Sequence, residues 1–257
     1  MIYAIVILSA FFFSGLTFFS GFGLATVLTP ILIIFFPTPI AINLTAIVHF
    51  LNNIFKLFLT GKNVNKEVLL KFGLTAMIGA VFGSFALVII SKKTFIINYH
   101  LFYHNFSVEL VNFTIGIIIL GFALFEIFPK KNELSLNKNL LPIGGALSGL
   151  FGGLSGNQGA FRSLFLIKCN LSKEQFVATG ILIACLVDII RLLIYGGNFL
   201  NKEIGKDFYL LVFTVISAFL GSYVANRYMQ KITIKLIKNI IMVLLLVISA
   251  GLITGLI

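Results

Sequence analysis

Charge is scarce in this chain. Charged residues make up 11% of its 257 positions, where a soluble domain needs roughly 25% to keep its surface wet. Hydrophobic residues fill 59%, and the mean hydropathy is +1.10. Several apolar runs reach the ~20 residues that a helix needs to cross a bilayer. A soluble domain is excluded, and an integral membrane protein remains. Acid is scarcer still, with 8 Asp and Glu against 19 Lys and Arg. Asp188 is the only carboxylate deep in an apolar span, whereas a metal-dependent membrane enzyme needs several, because Mg²⁺ takes oxygen ligands. An enzyme is therefore not expected. Cysteine is nearly absent. Cys169 and Cys185 lie in apolar surroundings without a CxxC spacing, so they read as packing residues, and neither metal nor cofactor is expected. Met1-Ile2-Tyr3 carries no basic n-region, so the first apolar stretch is expected to be a membrane segment and not a cleaved leader.

What the chain does have is itself, twice. Ser14-Gly15-Leu16 and Ser20-Gly21 return 134 and 135 positions later as Ser148-Gly149-Leu150 and Ser155-Gly156. Thr45 matches Thr179, and Asn53-x-x-Lys56 matches Asp188-x-x-Arg191. Asn65-Lys66-Glu67 returns as Asn201-Lys202-Glu203, and Ala80-x-x-Gly83-Ser84 as Ala218-x-x-Gly221-Ser222. Two related halves, 1–134 and 135–257, each opening on a glycine-interrupted apolar segment, are the layout of a secondary transporter.

Long helices are predicted at 40–61, 66–91, 107–128, 173–196, 206–228 and 234–256. Regions 2–36 and 139–169 are each too long for one crossing, since ~35 helical residues reach ~52 Å. Each breaks near its middle, at Gly21-Phe22-Gly23 and at Gly156-Asn157-Gln158-Gly159. If each broken segment is a hairpin returning to the side it left, the halves are inverted. The loops around 62–71, 130–138, 168–173 and 227–238 then carry twelve cations on one side, and those around 92–93 and 202–206 carry four on the other. Parallel halves would divide them eight to eight. The positive-inside rule favours the uneven split. The expectation is an all-α polytopic membrane protein of two inverted repeats, with both termini outside, each repeat a glycine-broken helical hairpin, either two full helices or a re-entrant pair, plus three transmembrane helices. The net charge of +11 is read as topology-setting cations on short loops, not as a nucleic-acid surface.

Interrupting a helix in hydrocarbon frees N–H and C=O groups, which is tolerable only beside protein or a watery cavity. The segment after each break begins with uncapped N–H groups and a positive dipole end, which suits an anion. Backbone at Gly21, Gly23, Leu24 and Ala25 and at Gly156, Asn157 and Gly159, with the Gln158 side chain, is the expected cradle. Gly144, Gly145, Gly149, Gly152 and Gly153 read instead as close-packing positions.

Six ionisable residues fall well inside the spans: His49, Lys56, Glu126, Arg162, Asp188 and Arg191. Such residues are costly in lipid and mark function. Arg162 lies one turn past the second break, and its planar fork suits an oxyanion. Asp188 and Arg191, three apart, form either a structural ion pair or a coupling pair. His49 is a candidate for proton coupling or a satisfied packing residue. Lys56 lies near a span end, where it either snorkels or faces the path. Glu126, in the last turn of its helix, is expected to reach the interface. Thr45, Asn52, Asn53 and Thr179 supply hydrogen-bonding groups for a cavity or for helix–helix contact.

The chain resembles the TauE/SafE group of membrane permeases, the sulfite exporter or TSUP family, whose two halves each open with a G-x-G-G-G-x(4)-P-like stretch. Gly21, Gly23 and Pro30 match the first copy, with Leu24 and Ala25 in place of two glycines. The second keeps Gly156 and Gly159 and gains Asn157, Gln158 and Arg162. A branch of the family shares the run from Ser155 to Arg162, Thr179, and Asp188-x-x-Arg191-x-x-x-Tyr195. The resemblance implies transport of a small anion, often a sulfur oxyanion or sulfonate such as sulfite. An anion channel is the alternative reading, and a membrane-embedded enzyme a more distant one.

Overall fold

The computed structural model describes residues 2–18, 21–60, 63–101, 104–127, 138–199, 204–228 and 234–257. Among these, the first half of the chain supplies helices α1 (Ile2–Leu16), α2 (Ala25–Ile33), α3 (Thr38–Thr60), α4 (Lys66–Ser91, with a π-turn at Leu69–Gly73) and α5 (Leu110–Ile127). The second half supplies α6 (Leu141–Ser155), α7 (Gly159–Leu166), α8 (Lys173–Phe199), α9 (Ile204–Tyr228) and α10 (Ile234–Thr254). Local chemistry sets several boundaries. The Asn65 side chain caps α4 by accepting from the Val68 N–H. Gly156, with φ +83°, ends α6 in the left-handed conformation that glycine adopts without a Cβ penalty.

Among the described residues, four stretches are long and apolar enough to cross a membrane, in α3, α4, α8 and α9, and α1, α5, α6 and α10 add shorter apolar helices. Large side chains such as Phe58, Phe82, Leu193 and Val247 point outward, as a lipid-facing surface requires and a water-facing one would not. The chain is a polytopic, multi-pass membrane protein.

One expectation fails. The chain is mostly helical but not all-α, because Ile96–Leu101 (β1) and His104–Glu109 (β2) pair as an antiparallel ribbon. Residues 107–109, expected to begin a helix, belong to that ribbon, and α5 starts at Leu110. Tyr99 stacks on Phe106, and its hydroxyl donates to the Thr254 carbonyl, tying the ribbon to the end of α10. Such cross-strand and tertiary contacts stabilise a ribbon that a hydropathy window cannot register.

Helix pairing follows a pattern. α1 packs along α9, and α6 packs along α4. Hydroxyls stitch the first pair: Ser14 Oγ donates to the Ala218 carbonyl at 2.7 Å, and Ser217 Oγ to the Ile7 carbonyl at 2.7 Å. The second pair is backbone on backbone, for a Cβ on Gly145 or Gly149 would strike the carbonyls of Phe72 or Ala76. α3 packs on α8, and α5 on α10. His49 meets Asp188 while Ile42 meets Arg191, so α3 and α8 run antiparallel.

Lys62, Lys130, Lys131, Lys231, Ser20 and Asn201-Lys202-Glu203 lie outside the described residues, as do the side chains of Glu126, Lys138, Lys206, Lys235 and Lys238.

Candidate functional site

The two breaks touch. Gly21 and Gly23 take φ +79° and +84°, which folds the chain back between α1 and α2. The turned Gly21 carbonyl accepts from Arg162 Nη2 at 3.1 Å and from Ser163 Oγ at 3.0 Å. Gly159 rests against the backbone of Phe22, where any Cβ would strike the carbonyl. A Cβ on Gly23 would come within 2.9 Å of His49 Nε2. Glycine is needed at these places because backbone, rather than side chains, forms the contact. Neither α2 nor α7 has a side-chain cap at its start.

Beside this crossing lies a part-open pocket of ≈ 390 Å³, lined by Thr17, Gly21, Gly23, Asn53, Lys56, Arg162 and Gly180, with an apolar wall that includes Phe176. Among the described residues, two cations and no carboxylate line it. Arg162 is 5% exposed, and its Nη1 has no hydrogen-bond partner. Lys56 is 3% exposed, with Nζ over the Phe18 ring and 3.4 Å from the Ser14 carbonyl. It does not snorkel to the surface. Positive charge buried without a matching carboxylate is costly, and an entering anion removes that cost.

Behind the pocket sits a closed polar knot. Asp188 Oδ2 is 2.6 Å from His49 Nδ1, and Asp188 Oδ1 accepts from Arg191 Nη1 at 2.9 Å and, at 3.4 Å, from Gln158 Nε2. All four side chains are almost fully buried. The Asn53 amide lies 3.2 Å from the His49 ring nitrogens, joining the knot to the pocket. Tyr195, also fully buried, donates to the Gly153 carbonyl and stacks near Arg191.

The other expected residues scatter. Thr179 accepts from the Asn65 N–H and so holds the entry to α4. Asn52 is occupied on both amide atoms, donating to Ser14 Oγ at 2.9 Å and accepting from Ser222 Oγ at 2.8 Å. Thr45 is buried with an unpartnered hydroxyl, and so is Asn157 on both amide atoms. Leu24 and Ala25 are buried at the start of α2. Thr17 and Gly180 line the pocket and Ser163 joins the crossing, although none carried a strong signal in the sequence. Gly180 is next to Thr179 on a matched helix, and Ser163 directly follows Arg162.

No curated protein and no solved structure matches the chain. A family model does, over residues 3–252. With that match added to the glycine breaks and the multi-pass helical fold, the chain belongs to the Sulfite exporter TauE/SafE family.

Proposed function

We propose that the protein is a secondary transporter in the cell membrane for a small anion, a sulfur oxyanion or sulfonate such as sulfite. The observation that carries this is the pocket holding Arg162 and Lys56 with no carboxylate and one unpartnered guanidinium nitrogen. The anion sits between Arg162, Lys56 and Asn53 against the Gly21–Gly23 backbone, and Arg162 presents a fork suited to two oxyanion oxygens. An entering sulfite exchanges part of its hydration for these donors, a small enough change to be reversed on release. His49 is the member of the knot that contacts Asn53 of the pocket, and we assign it the proton-coupling role.

The architecture proposed is two inverted repeats, 1–134 and 135–257, with both termini outside. The helix pairing supports it: exchanging α1–α5 with α6–α10 turns α1·α9 into α6·α4 and returns α3·α8 and α5·α10 to themselves. Equivalent helices that meet antiparallel, as α3 and α8 do, suit an axis in the membrane plane. A channel would use the same pocket, but that pocket adjoins a fully buried knot of paired charges through Asn53, which favours a carrier.

A thermal-shift panel of small oxyanions on detergent-solubilised protein tests the substrate. Sulfite is expected to raise the melting temperature of the wild type by linkage and to leave Arg162→Ala unmoved. An equal response from both proteins would remove the pocket from the proposal. For the topology, Lys131→Cys and Lys206→Cys should label from opposite faces of intact cells, the latter from outside.

A further inference from the structure

Around Arg191, a member of the knot, is a cluster that the pocket does not use. Thr29 Oγ1, both amide atoms of Asn157 and Arg191 Nε are buried and have no hydrogen-bond partner. The three residues are 0%, 2% and 0% exposed. They come from three elements, α2, the second break and α8, and Gly156 brings them together. A Cβ on Gly156 would lie 3.2 Å from Thr29 Oγ1 and 3.3 Å from Arg191 Nη2, and Asn157 is the next residue. Arg191 Nη2 lies 3.5 Å from the Ile42 carbonyl, and the Tyr195 side chain packs against the same guanidinium. Buried polar atoms are nearly always paired, and unpaired ones in one place call for a ligand or an ion.

The repeat says what the cluster is. Gly156 is the counterpart of Gly21, and Arg191 of Lys56. Thr29 stands 134 positions before Ser163, the same spacing as Ser14 to Ser148. Gly21, which lines the open pocket with Lys56, meets Ser163 at the crossing beside it, and here Gly156 meets Thr29 beside Arg191. The two groupings are one arrangement built twice, once open and once sealed.

We propose that Thr29, Asn157 and Arg191 form a second oxyanion station, closed in this conformation, which receives the anion from the Arg162–Lys56 pocket when the protein opens to the opposite face. The proposal rests on the transporter reading and adds the other half of its path. The station's donors are a hydroxyl, a carboxamide N–H₂ and the free Nε–H of a guanidinium whose charge Asp188 already balances. A partly neutralised cation binds an anion more weakly than Lys56 and Arg162 do, which favours release there.

Cysteine accessibility tests it without a known substrate. In a Cys169→Ala/Cys185→Ala background, Gly180→Cys reports the open pocket, and Thr29→Cys and Asn157→Cys report the station. Each is treated, in intact cells and in inside-out vesicles, with an impermeant sulfonate-bearing methanethiosulfonate and with its quaternary-ammonium analogue. The expected result is that Gly180→Cys reacts at least tenfold faster from one face and the station cysteines at least tenfold faster from the other, all preferring the anionic reagent. Thr29→Cys exchanges the hydroxyl for a thiol at the loss of one methyl group, a smaller change than Asn157→Cys, and so gives a second reporter of the station should Asn157→Cys fail to fold. Reaction of folded Thr29→Cys from the same face as Gly180→Cys, or from neither face, overturns the station. A preference for the cationic reagent overturns its anion chemistry. Methanesulfonate, an oxyanion that unlike sulfite attacks neither the thiosulfonate reagent nor the disulfide it forms, should slow all three reactions. If the opposite-face, anion-preferring pattern holds while methanesulfonate changes nothing, the station stands and the choice of a sulfonate as substrate is what fails.

Discussion

The two halves of this molecule place similar parts at matching positions and make them of different materials. The first break is backbone: two left-handed glycines turn the Gly21 carbonyl toward Arg162 and Ser163, and no polar side chain lies between Gly21 and Ala25. The second break is side chain: Asn157, Gln158 and Arg162 crowd into eight residues. The flanking helix pairs differ in the same way. Serine hydroxyls stitch α1 to α9, although Gly221 also lies against the Phe11 carbonyl, whereas α6 and α4 press glycine against backbone. Glycine placement therefore sets the layout in both halves, and chemistry is divided between them. The first half supplies acceptors and Lys56, and the second supplies guanidinium and carboxylate.

That division is most sharply tested where the second half holds a charge pair and the first holds Asn53 and Lys56. Asp188 and Arg191 are fully buried and 2.9 Å apart. Removing one partner of such a pair leaves the other uncompensated, at a cost of about 3–5 kcal/mol. Asp188→Asn and Arg191→Gln should each lower the melting temperature in detergent, and the double variant should recover part of the loss. If the recovered double variant also transports, the pair is structural. If it stays inactive, at least one member acts in transport. Simple addition of the two losses would mean the residues do not interact as the structure places them.

Next in size is Arg162, the donor that the second half extends to the first break. Arg162→Ala should reduce sulfite transport by roughly 30- to 100-fold, the equivalent of losing a charged hydrogen bond worth about 2–3 kcal/mol. Arg162→Lys should restore little of it, because lysine keeps the charge and loses the fork. Uptake into proteoliposomes by the alanine variant at the wild-type rate would mean that the pocket does not need the second half at all.

Much of this division is legible in the sequence, and for a physical reason. A break in a membrane helix needs glycine, and buried charge in a span is rare, so Gly21, Gly156, Arg162 and Asp188 stand out against an apolar background. The six long helices are legible for the same reason. What does not show is which element meets which. That Gly21's carbonyl takes Arg162 and Ser163, that Asn52 spends its amide on Ser14 and Ser222, and that Lys56 turns inward under Phe18 are all tertiary facts. The β1–β2 ribbon does not show in the sequence either, because its pairing depends on Tyr99, Phe106 and the end of α10, not on hydropathy.

A smaller effect separates the two helix pairs. Gly149→Ala drives a methyl group into the Ala76 carbonyl, and overpacking of this kind costs about 1–3 kcal/mol. Ser217→Ala, in the stitched pair, removes only one hydroxyl from the Ile7 carbonyl and leaves an acceptor that helical geometry can satisfy. Melting in detergent should fall clearly for the glycine variant and little for the serine one. The reverse order would mean that hydroxyls, not close backbone packing, hold both pairs together.

The smallest expected effect decides the place of Asn52, a residue that the sequence offers as a cavity candidate and the structure sets in a cluster with two serine hydroxyls. Its amide donates to Ser14 Oγ and accepts from Ser222 Oγ, and those two hydroxyls are 2.6 Å apart. Asn53, one position on, faces His49 and the pocket instead. Interhelical hydrogen bonds in membranes contribute about 0.6 kcal/mol on average and about 1.7 at most. Asn52→Ala should therefore lower stability by about 1 kcal/mol, since the serines can still pair with each other. Transport per folded molecule should stay within twofold of wild type, whereas Asn53→Ala should depress it. If Asn52→Ala melts normally and fails to transport, the cluster belongs to the anion path, and the stitched side of the first half is functional rather than structural.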